Sequence, residues 1–258
     1  MGYIGFDEPF LSLVHQGVIL GPDGTRMSKT KGNIINPDKY IEAYGSDILR
    51  LYLMFGFSYM EGGPWSEDGL KSIARFVERM ERAVMKALDY TECRILPDSE
   101  KELDYALNYA IKNISADLDA FSFNTAVARL MELVNAMYKA DGNVSATQYK
   151  AVAVTLIKLI APMTPHIAEE LYHIFGFEGY VSDAEYPVCD ESYLIEQSFE
   201  YPVMINGKLR FKQEYALTAS PDEITADIVA RPAAQKWLDV KAPKKVIVVK
   251  GKIINIVL

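Results

Sequence analysis

The chain has 258 residues, half of them apolar, and a formal net charge of −8, which fits one large or two to three small globular domains and excludes nucleic-acid binding through the overall field, leaving only local basic patches for that role. The two cysteines, Cys93 and Cys189, stand far apart with neither metal-ligand spacing nor a disulfide framework, so a reducing compartment is expected. No apolar run reaches membrane-spanning length and no basic-then-apolar leader opens the chain, so a cytoplasmic protein with no membrane partner is expected.

Val18-Ile19-Leu20 reads as a short buried strand, Asp23-Gly24 as a turn, and Asn36-Pro37 as an N-cap with the first helical position. Between them runs Arg26-Met27-Ser28-Lys29-Thr30-Lys31-Gly32-Asn33, with three cations in six residues. Small residues on a mobile loop let the backbone approach a ligand, and the cations can converge on a polyphosphate, stabilising charge on a transferring or leaving phosphate. Charge alone favours a solvated basic turn. Residues 36–57 read as two short helices broken near Gly45, with Asp47 and Arg50 three apart and able to pair on one helix surface in a structural role. Glu61-Gly62-Gly63-Pro64-Trp65 reads as a connector.

Ser66 is placed to cap a helix whose Leu70, Ile73, Val77, Met80, Val84 and Ala87 form one apolar stripe. Lys71, Arg75, Arg79, Arg82 and Lys86 fall on the other side, where they could follow an RNA backbone or form a solvated surface. Three amphipathic helices follow, over about 100–119, 124–139 and 145–161, the last opened by a Ser145/Gln148 capping-box pattern. A fifth runs from Thr164-Pro165 to Gly176, completing an antiparallel bundle with short connections. His166 lies in a first helical turn and reads as structural. Glu169 and Glu170 are adjacent on a helix, point to different sides and form no catalytic pair.

After an irregular linker, Asn206-Gly207 marks a hairpin and Ser220-Pro221-Asp222-Glu223 a capped helix. A second short helix and a strand pair around Gly251 complete a ββααββ module. Six lysines stand against one aspartate between Lys236 and Lys252. Lys244, Lys245, Lys250 and Lys252, with Lys208 and Arg210 beside the hairpin, favour contact with RNA phosphates; strand-edge lysines that block aggregation are the alternative. Few aromatics lie there, so backbone and shape recognition fits better than base stacking.

Arg26-Met27-Ser28-Lys29-Thr30 resembles the KMSKS signature of class I aminoacyl-tRNA synthetases in the longer form that continues Lys-Gly-Asn, with Arg26 for the first lysine and Thr30 for the final serine. Pro37-Asp38 and Gly45-Ser46-Asp47-Ile48-Leu49-Arg50-Leu51-Tyr52 look like the segment that follows. Ala161 to Tyr172 resembles the bundle signature of the leucine, isoleucine, valine and methionine enzymes. Val203 to Arg210 and Lys244 to Val257 look like the carboxy-terminal domain of bacterial leucyl-tRNA synthetase. The resemblance implies that Lys29 is catalytic, contacting ATP phosphates and the departing pyrophosphate, and that Arg26, Met27, Ser28 and Thr30 complete the ATP loop.

It further implies ATP with Mg²⁺ but no metal site in this chain, and tRNA(Leu), leucine and ATP as partners of a complete, monomeric enzyme. His15, His166 and His173 form no His-x-Gly-His motif, so a carboxy-terminal fragment, inactive alone, is expected. The expected fold is mainly α, divided as 1–64 (end of the catalytic domain), 65–180 (helical bundle of the anticodon-binding type), 181–198 (linker) and 199–258 (small α+β domain that binds tRNA). Two alternatives stand beside it: another class I synthetase, for valine, isoleucine or methionine, and a free-standing RNA-binding module.

Overall fold

The computed structural model describes residues 3, 5–8, 10–194, 198–216, 219–238, 243–249 and 251–258. The chain divides into two compact units, residues 1–191 and 192–258. In the first, β1 (Val18–Leu20) pairs in parallel with β2 (Gly62–Pro64), so the stretch expected to be a connector is a strand. Gly17 N donates to Tyr59 O (2.7 Å) and Trp65 N to Leu20 O (3.0 Å), extending the pairing at both ends. The glycines are there because the backbones nearly touch: a Cβ on Gly17 would lie 1.9 Å from Gly62 N, and one on Gly62 2.2 Å from Val18 O. Glycine and proline argue against a central strand, yet a three-residue edge pairing accommodates them. Val18 is 52% exposed rather than buried, because a two-stranded sheet leaves a flank open.

The crossover between the strands carries the cationic loop, then α1 (Asp38–Tyr44) and α2 (Ser46–Phe55), separated by Gly45. Asn36 Oδ1 accepts from Asp38 N (3.0 Å) and Pro37 already has helical angles. Ser66 Oγ accepts from Gly69 N (3.1 Å) at the start of α3 (Glu67–Lys86), whose six stripe residues are all buried. There follow α4 (Pro97–Asp119), α5 (Phe123–Ala140), α6 (Ala146–Ile160) and α7 (Pro165–Ile174). α4 packs on α5, α7 on α6, and α2 against α3, α5 and α7. One continuous core runs from Tyr40 to Val181, so residues 38–65 and the bundle are a single packed body.

The start of the expected linker belongs to this unit as well: Val181 is buried, and its N–H donates to Glu169 Oε2 (3.0 Å). The cap of α6 differs from the sequence expectation. Ser145 Oγ accepts from Gln148 N (3.4 Å), but the Gln148 amide turns to Glu100 O (2.8 Å) instead of reaching back. Glu100 Oε1 takes the Ser145 N–H (3.3 Å), so α4 supplies the acid that a local box would have held. At the end of α4, Phe121 adopts a left-handed φ of 56°, and the turn closes through Phe121 N to Leu118 O (3.2 Å) and Ser122 N to Asp117 O (2.8 Å). Its ring stacks on Tyr59 at 5.6 Å and meets Phe123 edge-on at 5.8 Å.

In the second unit, β3 (Ser198–Ile205), β4 (Lys208–Ala216), β5 (Lys245–Val249) and β6 (Ile253–Val257) form a sheet in the order β4-β3-β6-β5, with only the β3–β6 pair parallel. Asn206 and Gly207 have φ of 48° and 77°, which suits a tight turn between twisted strands. α8 (Pro221–Ala230) and α9 (Pro232–Leu238) make the crossover that a parallel neighbour requires. Ser220 and Glu223 form a complete capping box. Tyr201, Val203, Ile224, Ile228, Ile254 and Ile256 are central to a separate core, each side chain worth roughly 1.5–3 kcal/mol of burial.

Candidate functional site

The cationic loop is rooted at the end of β1. Gly21 N donates to Thr25 O (2.8 Å), bringing Arg26 back beside Leu20 as an antiparallel bridge. Met27 is partly buried against the core of the first unit and anchors the loop. Ser28 O then accepts from Lys31 N (3.2 Å) and Gly32 N (3.1 Å), turning the chain. Arg26, Lys29, Thr30 and Lys31 are exposed on this turn, whereas Ser28 and Asn33 are half-buried. Among the described residues, the side chains of Arg26, Lys29 and Lys31 make no ion pair, so their charge is uncommitted. Asp23, the nearby carboxylate, accepts from Thr25 N (3.0 Å), Thr25 Oγ1 (2.8 Å) and Asn33 Nδ2 (3.2 Å). The Thr25 bonds, then that of Asn33, hold its carboxyl below the usual carboxylate range.

Asp47 and Arg50 do not pair with each other. Asp47 is 4% exposed; one oxygen meets His166 Nδ1 (2.8 Å) and the other accepts from Ile167 N (2.8 Å). Arg50 donates from Nε to Met163 O and from Nη2 to Pro162 O, both at 3.3 Å. An anion thus sits at the first turn of α7, and a cation on the carbonyls just past the end of α6, each matching the local helix dipole. This ties the helix that follows the loop to the bundle.

The α3 cations are not a free stripe. Lys71 lies 3.9 Å from Asp68, Arg75 donates to Ser72 Oγ (2.9 Å), and Lys86 pairs with Asp141. Arg79 is half-buried, donates to Asn135 Oδ1 (2.6 Å), and covers the Tyr138 ring at 4.5 Å. Arg82 is exposed, with no such contact among the described residues. In the second unit Lys208, Lys245 and Lys252 are exposed, and Lys244 Nζ donates to Leu258 O (3.2 Å). The Arg210 guanidinium lies 3.9 Å over the ring of Trp237, which is 43% exposed. Sequence reasoning missed this pair because its members lie on β4 and α9. β4 and β5 are opposite edges of the sheet, so the basic residues are split between two rims. Lys250 lies outside the described residues. Among the described residues, no group of three or more His, Cys, Asp and Glu could hold a metal ion, and no helix is long and apolar enough to cross a membrane.

Residues 4–62 match the family described as tRNA synthetases class I (I, L, M and V), and residues 100–226 match the anticodon-binding domain of tRNA ligase. The leucine–tRNA ligase of Caldanaerobacter subterraneus subsp. tengcongensis is 47% identical over 100% of this chain, which covers 32% of that protein. That of Clostridium kluyveri is 43% identical, again over 100% of the chain and 33% of the relative. The chain belongs to the leucine–tRNA ligase family. It corresponds to a carboxy-terminal part of those enzymes and spans about a third of the length of the curated relatives it matches. Among solved structures, the Agrobacterium radiobacter K84 agnB2 LeuRS, in a ternary complex with tRNA and LeuAMS, matches 99% of this chain and 34% of its own at 31% identity and a TM-score of 0.78. A Mycobacterium tuberculosis methionyl-tRNA synthetase with methionyl-adenylate shares the fold alone, at 19% identity and a TM-score of 0.50 over 63% of this chain and 38% of its own. The leucine enzymes match the whole chain, second unit included. In this leucine–tRNA ligase family member the cationic loop lies within the class I match, and the Asp47 tie links that match to the anticodon-binding one.

Proposed function

We propose that this chain is the carboxy-terminal third of an enzyme that activates leucine with ATP and transfers it to tRNA(Leu), acting as a monomer in the cytoplasm. The observation that carries the reading is 47% identity, along the whole of this chain, with a third of a leucine–tRNA ligase, combined with an exposed, unpaired Lys29 on the signature loop. In the activation step the leucine carboxylate attacks the α-phosphorus of ATP, and the bond to pyrophosphate breaks. Lys29 stabilises the charge that develops on the departing pyrophosphate, and Arg26 adds a second cation with a planar donor fork. The Ser28 and Thr30 hydroxyls and the Met27 anchor complete the ATP loop. Mg²⁺, implied together with ATP, finds no ligand set among the described residues: the loop carboxylate Asp23 is committed to Thr25 and Asn33.

The tRNA is met by Lys71, Arg75, Arg82 and the exposed side of Lys86 on α3, and by Lys208, Arg210, Lys244, Lys245, Lys250 and Lys252 in the second unit. Arg79, held by Asn135 and Tyr138, is the weakest candidate. The test is leucine-dependent ATP–pyrophosphate exchange. In the full-length ligase carrying this chain, Lys29→Ala should lower kcat by about 100-fold or more. The 258-residue chain alone should give no turnover. Turnover by the chain alone, or an unchanged Lys29→Ala enzyme, would overturn the reading. A salt titration of binding to tRNA(Leu) against an unrelated tRNA tests the second role, with selective, salt-sensitive binding that falls for Lys244→Ala/Lys245→Ala as the expected result.

A further inference from the structure

One side chain gathers the whole cationic loop. Asn33 Oδ1 accepts the Ser28 N–H (2.9 Å), fixing the residue before Lys29. Asn33 Nδ2 faces both Asp23 oxygens (3.2 Å each), Thr25 Oγ1 (3.1 Å) and Arg26 O (3.4 Å). Asp23 in turn binds Thr25 N and Oγ1. The start, middle and end of the loop therefore meet at one amide. The turn made by Ser28 O with Lys31 N and Gly32 N is local and cannot by itself fix the loop against β1.

The chemistry selects asparagine, because Ser28 needs an acceptor and Asp23 needs a donor, and a carboxamide carries both. An aspartate would set two carboxylates against each other; a leucine would satisfy neither. Gly21 makes room for the clasp, since a Cβ there would lie 2.8 Å from Asp23 Oδ1 and 2.9 Å from Asn33 Nδ2. Holding a loop residue in one conformation costs conformational entropy, and a misplaced charge loses rate steeply.

We infer that Asn33, with Asp23 as its counterpart, is a positioning residue that holds the loop in the shape that presents Lys29 to the reacting phosphates. The inference rests on the function proposed above. It is tested with Asn33→Asp, Asp23→Asn and the double variant, which swaps donor and acceptor across the same contact. In the 258-residue chain, hydrogen exchange of the Ser28 amide should quicken about 10-fold in Asn33→Asp and return toward wild type in the double variant. In the full-length ligase, Asn33→Asp should lower kcat of leucine-dependent pyrophosphate exchange by about 10- to 100-fold. KM for ATP and leucine should stay within about threefold, and the double variant should recover most of kcat. A thermal melt matching wild type separates this from general unfolding.

An Asn33→Asp enzyme with wild-type kcat, or a double variant worse than either single one, would overturn the inference. If the wild-type ligase shows no leucine-dependent exchange, the functional reading fails. The Ser28 amide then still decides the clasp: unchanged exchange in Asn33→Asp refutes it, and faster exchange restored by the double variant supports it.

Discussion

Asp47 holds His166 with one oxygen and the Ile167 N–H with the other, at 4% exposure. Removing its carboxylate by Asp47→Ala strands the half-buried Ile167 N–H. It should cost about 2–3 kcal/mol in a urea titration of the first unit. His166→Ala should cost less than about 1 kcal/mol, because the ring is 76% exposed and the Ile167 bond survives. Equal losses in the two variants would contradict this division. Spacing alone offered Asp47 only Arg50, its neighbour on the same helix; its partners come from a corner formed much later in the chain. Lys29 was legible for the opposite reason, because the residues that signal its chemistry are consecutive. Asn33 stood in the same stretch, but its role depends on Asp23 and Thr25 folding back onto it.

At the scale of elements, the apolar stripe of α3 was readable because burial follows angle around the helix, and all six predicted positions are buried. The cations on its other side were not readable in the same way. A helical wheel gives direction but not neighbours, and Asn135, Tyr138 and Asp141 reach Arg79 and Lys86 from other parts of the bundle. Phe121 spends backbone strain at a position where glycine is common, and returns ring contacts with Tyr59 and Phe123. Phe121→Ala keeps the strain and loses the rings, whereas Phe121→Gly loses both. Phe121→Gly should therefore be more stable than Phe121→Ala by about 1 kcal/mol in chemical unfolding; the reverse order would refute the strain.

α8 carries a pH-dependent contact. Arg231 Nε (2.6 Å) and then the Tyr215 hydroxyl (2.7 Å) hold the Asp227 carboxyl below its usual range. The folded state binds the proton less readily than the unfolded chain. The stabilisation is therefore present above the ordinary aspartate pKa of about 4 and is lost as pH falls through the lower folded value. Asp227 is 46% exposed, so Asp227→Asn should cost at most about 1 kcal/mol at pH 7, with the difference from wild type closing as pH falls below the ordinary aspartate range. A constant difference across that range would refute it.

For the molecule as a whole, the two units have separate cores. Ile254→Ala, at a fully buried position, should lower the unfolding free energy of the second unit by about 2–4 kcal/mol and leave the first unit's transition in place. Leu130→Ala should do the converse, and a common shift of both transitions would show that they unfold together. The fold class was legible because helices and hairpins announce themselves in periodicity and caps. The shared core of residues 38–65 and the bundle was not, since continuity between packed elements has no local signal. The pinch between β1 and β2 has a consequence for inheritance. In a saturating mutational library, Gly17 and Gly62 should admit no other residue, and neither should rescue the other, because each added side chain would strike main chain that no substitution can trim. The crossover that carries the cationic loop thus leaves and re-enters the sheet at two fixed posts.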